Sequence, residues 1–413
     1  MNEKGEAKGA RVAIAGGGVA GVEALLALSD LAGDRAELTL IAPEPDFVYR
    51  PLLVEEPFDL GPPEQHALEP LAKEKGAEFA LRALKSVAPA EHSVELDDGS
   101  RLEYDYLVVC LGGRFRPALK RAITFPSAQE ALRINEVLDR AAAGAKRIAF
   151  VVPSGVSWPL PIYEVALMTQ RRAVERGLRE LELTVITPEE APLAIFGPAA
   201  SDAVAELLAG RGIVVETGSR AHEGDDGELI LTPGDRRFGP AEVVALPEMD
   251  GPATPGLPGD ERGFIPIDDH ARVHGVEDVY AAGDGTNFPI KQGGIATQQA
   301  DAAAAEIAHR LGAAVEPEPF HPVLRGKLIT GADSVHLRAD VAGGGGEGEA
   351  SLDCLWWPPQ KISGRYLAPW LYHDEVHEDP DPPGHSLDVE VALPREWHEQ
   401  PMAYDPDGPP RVD

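Results

Sequence analysis

An aspartate and several glycines in the segment Val279–Gln299 have the types and spacing expected of a cofactor site. The segment reads as a buried strand, then Gly283-Asp284, a loop, and a helix that begins at Gly293-Gly294. A carboxylate at the end of a buried strand can accept hydrogen bonds from ribityl hydroxyls. Free N–H groups at the following helix N-terminus favour the electron-rich edge of a reduced flavin. The segment therefore predicts one half of a flavin site.

A second glycine-rich segment, close to the N-terminus, predicts a dinucleotide-binding loop. An apolar strand runs into Gly16-x-Gly18-x-x-Gly21, and an apolar helical pattern follows directly. Gly16 permits a tight turn, Gly18 lets backbone approach a pyrophosphate, and Gly21 lets helix and strand pack closely. We expect Val19 and Ala20, in the first turn of that helix, to lie beside the cofactor as well.

Length, charge and cysteine content restrict the class of protein. The chain has 413 residues, a formal net charge of −32 and only two cysteines, Cys110 and Cys354. The length suits two or three domains, the negative charge argues against nucleic acid as a partner, and two cysteines exclude a disulfide framework. The histidines lack metal-binding spacing, so no metal is predicted.

No signal peptide is recognised in the polar first ten residues, and no apolar run approaches the roughly 20 residues that cross a bilayer. A soluble cytoplasmic protein is therefore expected.

Alternating strand and helix patterns predict an α/β fold with two Rossmann-like domains, the first of them discontinuous. The first domain would comprise residues 1–120 and 243–330 and bind the cofactor, and the second, residues 121–242, would carry a degenerate nucleotide motif. Residues 331–373 are expected to form a C-terminal interface region. Residues 374–413, rich in Pro, Asp and Glu, are expected to form a disordered acidic tail.

Shorter patterns predict local elements between these units. A helical stretch is expected over residues 65–75, and Asp97-Asp98-Gly99 predicts a hairpin turn.

Four motifs together resemble the two-Rossmann flavoprotein oxidoreductases. They are AGGGVAG, FVYRPLL, YDYLVVCLGG and VYAAGDGTNFPIKQGGIATQQAD. These flavoproteins form a pyridine nucleotide-disulfide oxidoreductase-like family. The branch that this sequence resembles contains sulfide:quinone reductases, the flavin subunit of flavocytochrome c sulfide dehydrogenases and type II NADH dehydrogenases. The resemblance covers about residues 10–330 and implies FAD, two Rossmann-like domains, and a C-terminal region that packs over the flavin.

The resemblance also implies roles for individual residues. The N-terminal glycines would hold the pyrophosphate, Asp284 would bind the ribityl chain, and Gly294 and Ile295 would approach the pyrimidine edge of the flavin. The full set of expected cofactor-binding residues is Gly16, Gly18, Val19, Ala20, Gly21, Glu44, Arg50, Leu111, Gly112, Gly283, Asp284, Gln292, Gly294 and Ile295.

Two departures from the family pattern concern nucleotide binding. The family usually places a carboxylate where Ala42 stands; Glu44 either replaces it in binding the adenosine ribose or is an ordinary loop charge. In the second domain, PSGVSWPLPIYE replaces the glycine fingerprint, so a nicotinamide cofactor would lose close backbone approach to its pyrophosphate. Weak or absent use of nicotinamide is therefore predicted.

A third departure concerns the redox cysteines. Trp158 occupies the position where the resemblance requires a cysteine before the Pro-rich stretch; it either shapes a substrate pocket or simply packs in a loop. Cys110 lies in a predicted strand, where cysteine usually acts as a small hydrophobe, and Cys354 has no CxxC partner. We expect no sulfide oxidation through a cysteine persulfide.

Three further side chains are candidates for catalysis alongside Trp158. Lys291 could stabilise anionic reduced flavin or orient an acceptor; the alternative is a solvated lysine. Tyr163 and Glu164 open a helix beside the Pro-rich loop. Glu164 could move protons, and it could equally stabilise the helix dipole.

The aromatic segment, Leu355–Tyr372, contains three tryptophans, two tyrosines, Lys361 and Arg365, and no acid. Such a composition suits peripheral contact with a membrane, and it suits a homodimer or domain interface equally well.

The function that these patterns favour is that of an FAD-dependent oxidoreductase that passes electrons from a small donor to an acceptor such as a quinone, without redox-active cysteines. Two alternatives stay open: an NAD(P)H-dependent flavoprotein reductase, and a non-catalytic FAD-binding scaffold or redox sensor.

Overall fold

The computed structural model describes residues 9–125, 128–143, 146–239, 241–320, 322–331, 334–338 and 349–374. The predicted acidic tail lies outside these residues, except for Asp374, which ends the last helix. The helices are α1 Val19–Ala32, α2 Leu68–Glu74, α3 Ala128–Ala142, α4 Leu160–Glu175, α5 Pro198–Gly210, α6 Gly293–Arg310 and α7 Leu367–Asp374.

The strands form two five-stranded sheets and several small sheets. In chain order they are β1 Ala10–Ala15, β2 Ala36–Ala42, β3 Asp46–Val48, β4 Gln65–Ala67, β5 Glu78–Leu81, β6 Leu84–Ala88, β7 Ser93–Leu96, β8 Arg101–Glu103, β9 Tyr106–Val109, β10 Arg114–Arg116, β11 Ile123–Thr124, β12 Arg147–Val151, β13 Glu182–Ile186, β14 Ile213–Glu216, β15 Arg220–Glu223, β16 Leu229–Thr232, β17 Arg236–Phe238, β18 Glu242–Ala245, β19 Glu248–Asp250, β20 Val279–Ala281, β21 Arg325–Leu328, β22 Val335–Arg338 and β23 Glu349–Ser351.

The first large sheet is parallel throughout, in the order β20-β9-β1-β2-β5. Its central strands are apolar runs, and Ile14, Leu40 and Val108 are fully buried. Such runs are typical of a parallel sheet covered on both faces. Because β1 and β20 are parallel members of one sheet, both glycine-rich motifs follow strand ends at the same edge.

The second large sheet is also parallel, in the order β11-β18-β12-β13-β14. The predicted α/β class with two Rossmann-like units is therefore confirmed. Strand β18 pairs with both β11 and β12, so Glu242–Ala245 belongs to this sheet. The domain bounds stay a prediction.

The stretch predicted as a helix over residues 65–75 differs in its first three residues. Gln65–Ala67 is a strand that pairs with Asp46–Val48, and the helix begins only at Leu68. The pairing stacks the rings of Phe47 and His66, whose centroids are 6.2 Å apart, and this long-range contact overrides the local helical pattern. The predicted hairpin at Asp97-Asp98-Gly99 is present between β7 and β8.

A buried carboxylate on α1 fixes the start of α7. Glu23 is fully buried, and its two oxygens accept the backbone N–H groups of Tyr366 (2.9 Å) and Leu367 (2.6 Å). Asp301 of α6 adjoins the same carboxylate, and burial together with Glu23 raises its pKa well above the ordinary value. The first turn of α7 is therefore capped by a side chain from the other end of the chain.

A buried ion pair anchors the segment before α7. Lys361 Nζ lies 2.7 Å from Glu164 Oε2 and 2.9 Å from the carbonyl oxygen of Pro51, while Glu164 Oε1 accepts the N–H of Ile329 (2.8 Å). Glu164 lies on α4, whereas Pro51 belongs to the first Rossmann unit. The pair therefore links both units and the C-terminal region.

The tryptophans of the aromatic segment pack within the protein. Trp356 is 2% exposed, the ring centroid of Trp357 lies 4.9 Å from that of Tyr372, and the centroid of Trp370 lies 4.8 Å from that of His66. These contacts favour the packing interpretation, and contact with a membrane stays a prediction. None of the helices in the described part of the chain combines the length and the apolar composition of a membrane span.

Replacing Lys361 by Met should leave the Glu164 carboxylate buried without its cation and lower the free energy of unfolding by about 3–5 kcal/mol. Even with the lysine present, burial raises the pKa of Glu164 to about 6. Because a neutral carboxyl costs less to bury, the deficit of Lys361→Met should shrink as pH falls. Urea unfolding at a series of pH values above and below about 6, the pKa of Glu164, measures this deficit in the free energy of unfolding.

The matched control is the double variant Lys361→Met with Glu164→Gln, which should recover most of the lost stability because no uncompensated charge remains. A deficit of Lys361→Met that is the same at all pH values would contradict this account.

Candidate functional site

The N-terminal glycine loop is shaped by close backbone contacts. Gly16 has φ of +126°, and a Cβ there would lie 2.1 Å from the carbonyl oxygen of Cys110. A Cβ at Gly21 would lie 1.8 Å from the carbonyl oxygen of Gly16, so α1 meets the loop directly. At Gly18 a Cβ would meet no atom within 4 Å. The loop is therefore tightly packed at Gly16 and Gly21 and open at Gly18.

The N-terminus of α1 offers amide donors at this open side. Its capping residue, Gly18, supplies no side-chain hydrogen bond to the first turn. Val19 and Ala20, the predicted neighbours of the loop, are the first two residues of α1 and lie in that first turn. Val19 is partly exposed and Ala20 is buried. Uncapped N–H groups and the helix dipole together favour an anion such as a pyrophosphate.

The second motif brings α6 to the same place. Gly283 has φ of +86°, and a Cβ there would lie 3.2 Å from Cβ of Ala20 and 3.4 Å from Cβ of Ala296. The Gly283 N–H donates to Oε1 of Gln299 (2.7 Å), which fixes the turn after β20. The first turns of α1 and α6 therefore converge on Gly283, beside Asp284.

Asp284 belongs to a small group of charges. It is partly exposed, and burial raises the pKa of its carboxyl while Lys291 and Arg50 oppose that rise. Arg50, which is exposed, comes from the FVYRPLL motif far upstream. The structure thus brings three predicted residues from two motifs into one electrostatic environment.

At the start of α6, the amide of Ile295 is hydrogen-bonded within the protein. The side chain of Gln292 caps the helix: its Oε1 accepts the N–H of Ile295 (2.8 Å), and its Nε2 donates to the carbonyl oxygen of Arg325 (3.2 Å). The Ile295 amide is therefore already engaged. The N–H groups of Gly293 and Gly294 are the first-turn donors left for a ligand, because neither has an acceptor among the described residues.

The side chain of Lys291 makes contacts within the protein, so the alternative of a solvated lysine does not apply. Its Nζ donates to the carbonyl oxygen of Thr286 (2.5 Å) and lies 3.9 Å from the ring centroid of Phe264. Burial lowers the pKa of Lys291 to about 7, against the opposing effects of Asp284 and Asp260. This cation therefore titrates near neutral pH.

The predicted residues after β9 line a cleft. Leu111 and Gly112 bound a volume of about 150 Å³, together with Arg114 and residues of the loop near Pro252. Glu44 is exposed in the bend after β2, a position compatible with ribose binding and with an ordinary surface charge. The role of Glu44 stays a prediction.

The candidate catalytic residues of the second unit are engaged within the protein. Trp158 packs edge-on against Phe196, with ring centroids 5.6 Å apart. The Tyr163 hydroxyl donates to Oε2 of Glu189 (2.7 Å), and Glu164 pairs with Lys361. Since α4 begins at Leu160, Glu164 lies past the first turn that a dipole-stabilising role would require.

The loop that carries Trp158 nevertheless reaches the site. Oγ of Ser157 accepts the backbone N–H of Lys291 (3.2 Å), which ties the Pro-rich loop of the second unit to the segment before α6. Sequence patterns gave no signal for Ser157, Thr286 or Phe264, because their roles depend on long-range contacts.

Neither cysteine has the environment of a redox thiol. Cys110 is buried, and burial raises the pKa of its thiol to about 12. Cys354 Sγ donates to the carbonyl oxygen of Trp356 (2.8 Å), and burial also raises the pKa of this thiol. Reactive cysteines require a lowered pKa.

A sequence profile described as pyridine nucleotide-disulphide oxidoreductase matches residues 10–306. The chain belongs to this family. The match confirms the predicted flavoprotein family and the predicted oxidoreductase class, and it covers both glycine-rich motifs and the whole second unit.

Individual relatives show the breadth of the family. The sulfide-quinone reductase of Aquifex aeolicus is 28% identical over 268 residues, which cover 60% of this chain and 61% of that protein. An alternative NAD(P)H-ubiquinone oxidoreductase of Arabidopsis thaliana is 25% identical, over 76% of this chain and 69% of that protein. The match thus spans less than two thirds of the Aquifex relative.

The fold is also similar to solved structures. The crystal structure of the sulfide:quinone oxidoreductase from Aquifex aeolicus superposes with a TM-score of 0.74 at 21% identity, covering 83% of this chain and 86% of that one. At this identity the likeness supports the fold alone.

Two glycine variants should separate cofactor binding from folding. Gly18→Ala places its methyl group in open space, so stability should change by less than about 1 kcal/mol. Flavin affinity should fall, because the second glycine of such a loop is the one that lets the backbone approach a pyrophosphate. Gly21→Ala collides with the loop backbone and should lower stability and affinity together. Thermal unfolding and flavin titration measure the two quantities; equal behaviour of the two variants would contradict the assignment.

Proposed function

We propose that this protein is an FAD-dependent oxidoreductase that passes electrons from a small donor to an acceptor such as a quinone. The observation that carries the proposal is the convergence of the first turns of α1 and α6 on Gly283, with an open approach at Gly18 and a carboxylate at Asp284. These residues fit a flavin dinucleotide: amide donors for a pyrophosphate, an acceptor for ribityl hydroxyls, and a second helix N-terminus for the ring edge.

Bound FAD would supply the electron-transfer chemistry through its isoalloxazine ring. Asp284 would orient the ribityl chain, and Gly293 and Gly294 would donate to the pyrimidine edge. Lys291 would place a titratable positive charge in the same environment, and the segment around Ile362 would exclude water from the start of α6. A Cβ added at Gly293 would lie 2.4 Å from Cδ1 of Ile362, so that contact is close.

The second unit supports a donor other than a nicotinamide. Helix α4 is preceded by Pro159 and has Pro161 in its first turn; neither residue has an N–H to offer a pyrophosphate. Glu189, three residues after the end of β13, lies where a ribose carboxylate would be needed, and it already accepts hydrogen bonds from Tyr163 and Thr187.

Quinone is the favoured acceptor because two relatives of this chain are named for quinone or ubiquinone reduction. Contact with a membrane at its periphery, or with a second copy of the chain, would involve the outer face of the C-terminal region, where Leu352 is 69% exposed.

Replacing Asp284 by Ala should reduce flavin retention because the ribityl chain loses its carboxylate acceptor. We expect affinity for FAD to fall by roughly ten-fold or more, as expected for loss of a hydrogen bond to a charged group. Dialysis followed by absorbance of the retained flavin measures the effect, with Glu261→Ala as a control because this nearby carboxylate is exposed. Unchanged retention in Asp284→Ala would refute the role of Asp284.

An anaerobic screen of donors against the flavin-loaded protein tests the proposed reaction. NADH and NADPH should bleach the flavin slowly and without saturation, and at least one small non-nicotinamide donor should reduce it rapidly, followed by reoxidation with a soluble quinone. Fast, saturable reduction by either nicotinamide would favour an NAD(P)H-dependent reductase instead, and no reduction by any donor would favour a scaffold or sensor.

Changing both cysteines to Ser should leave flavin content and any turnover nearly intact, since both thiols have raised pKa values. Sulfide should not bleach the flavin quickly, and mass spectrometry should detect no persulfide. Rapid reduction by sulfide that is abolished by Cys354→Ser would show that this thiol acts on the flavin, against the present account.

A further inference from the structure

The ammonium group of Lys291 has two partners of different kinds. The carbonyl oxygen of Thr286 accepts one of its N–H groups at 2.5 Å, and the ring centroid of Phe264 lies 3.9 Å from Nζ. The face of an aromatic ring carries negative electrostatic potential, and it attracts a cation within about 6 Å. The two contacts together restrict where a long, flexible side chain can place its charge.

Phe264 is itself held firmly beside the Gly-Asp motif. Its side chain is 6% exposed, and its N–H donates to Oδ1 of Asp260 (2.9 Å). The next residue, Ile265, donates to the carbonyl oxygen of Gly285 (2.9 Å), the residue that follows Asp284. The backbone next to Phe264 is therefore hydrogen-bonded directly to the predicted ribityl-binding turn.

The charges around Lys291 come from several elements and partly cancel. Asp284 and Asp260 raise the pKa of Lys291, Arg262 lowers it, and burial lowers it most. The Arg262 guanidinium lies 5.6 Å from the centroid of the same Phe264 ring. Arg50 also acts on Asp284. A contact with the uncharged ring would add to the stabilisation supplied by the two carboxylates.

We propose that Phe264 is a positioning residue whose ring holds the Lys291 ammonium in the electrostatic environment of Asp284 and stabilises its cationic form. Without the ring, the side chain would keep its carbonyl acceptor but lose the surface that stabilises its cationic form. The consequence for the cofactor rests on the proposed function: a flavin bound at Asp284 would have a positive charge nearby whose occupancy depends on this ring.

Fluorination of the Phe264 ring tests the proposal, because it changes the electrostatic potential of the ring face while leaving the size of the ring nearly the same. Incorporation of 3,4,5-trifluorophenylalanine at position 264 removes most of the negative potential of the ring face, and Phe264→Leu removes the ring. The control carries the same fluorinated residue at Phe150, which is fully buried in β12 of the second unit.

The primary readout is the pKa of Lys291, obtained by NMR titration of the full chain carrying lysine labelled with carbon-13 at Cε. Lys291→Arg identifies the resonance, and the measurement needs no bound flavin. The wild-type value should be about 7. Fluorination at 264 should lower it by roughly one unit, because the ammonium form loses its cation–π stabilisation. Phe264→Leu should lower it as well, and fluorination at 150 should not.

The second readout is the flavin midpoint potential of the loaded protein as a function of pH. In the wild-type protein, the plot of midpoint potential against pH should have an inflection at the pKa of Lys291. This inflection should move to lower pH in the fluorinated variant and disappear in Lys291→Met. An unchanged or raised Lys291 pKa in the fluorinated protein would overturn the role of Phe264, whatever the flavin does. An inflection that stays in place while the lysine pKa moves would overturn the link to the cofactor, and failure to bind FAD would refute the proposed function instead.

Discussion

Two helix N-termini meet at the turn that follows β20. The first turns of α1 and α6 converge on Gly283, where the Cβ of an added side chain would come within 3.2 Å of Ala20. Amide groups at such termini have no partner within their own helix. A ligand with a pyrophosphate at one end and an electron-rich ring at the other would satisfy both termini at once. The parallel sheet places both motifs at one edge, and the glycines of the loop and of the Gly-Asp turn permit the close contacts between them.

The C-terminal region is coupled to this point by buried carboxylates. Glu23, on α1, caps α7, and Glu164, on α4, pairs with Lys361. Between these two anchors, Ile362 donates its N–H to the hydroxyl of Tyr49 and packs against Gly293 at the start of α6. The same contacts that stabilise the C-terminal region therefore cover the end of α6 where the flavin ring is proposed to lie.

Local requirements explain what could be predicted from the sequence. Gly16 and Gly283 were recognisable because positive φ and close backbone approach favour glycine wherever they occur. Contacts between distant residues could not be recognised in this way. Glu164 and Lys361 are 197 residues apart, and no pattern around either residue indicates its partner. The capping of α6 by Gln292, which engages the Ile295 amide, likewise depends on a rotamer that the sequence does not specify.

Identification of the bound flavin shows whether the two converging helices hold a flavin dinucleotide. Purified protein, or protein reconstituted with a mixture of flavins, would be denatured and the released cofactor separated by chromatography. We expect FAD in an amount equal to the protein, because the open side of the loop at Gly18 fits a pyrophosphate, which FMN lacks. Release of FMN alone, or a folded protein that retains no flavin from the mixture, would contradict it.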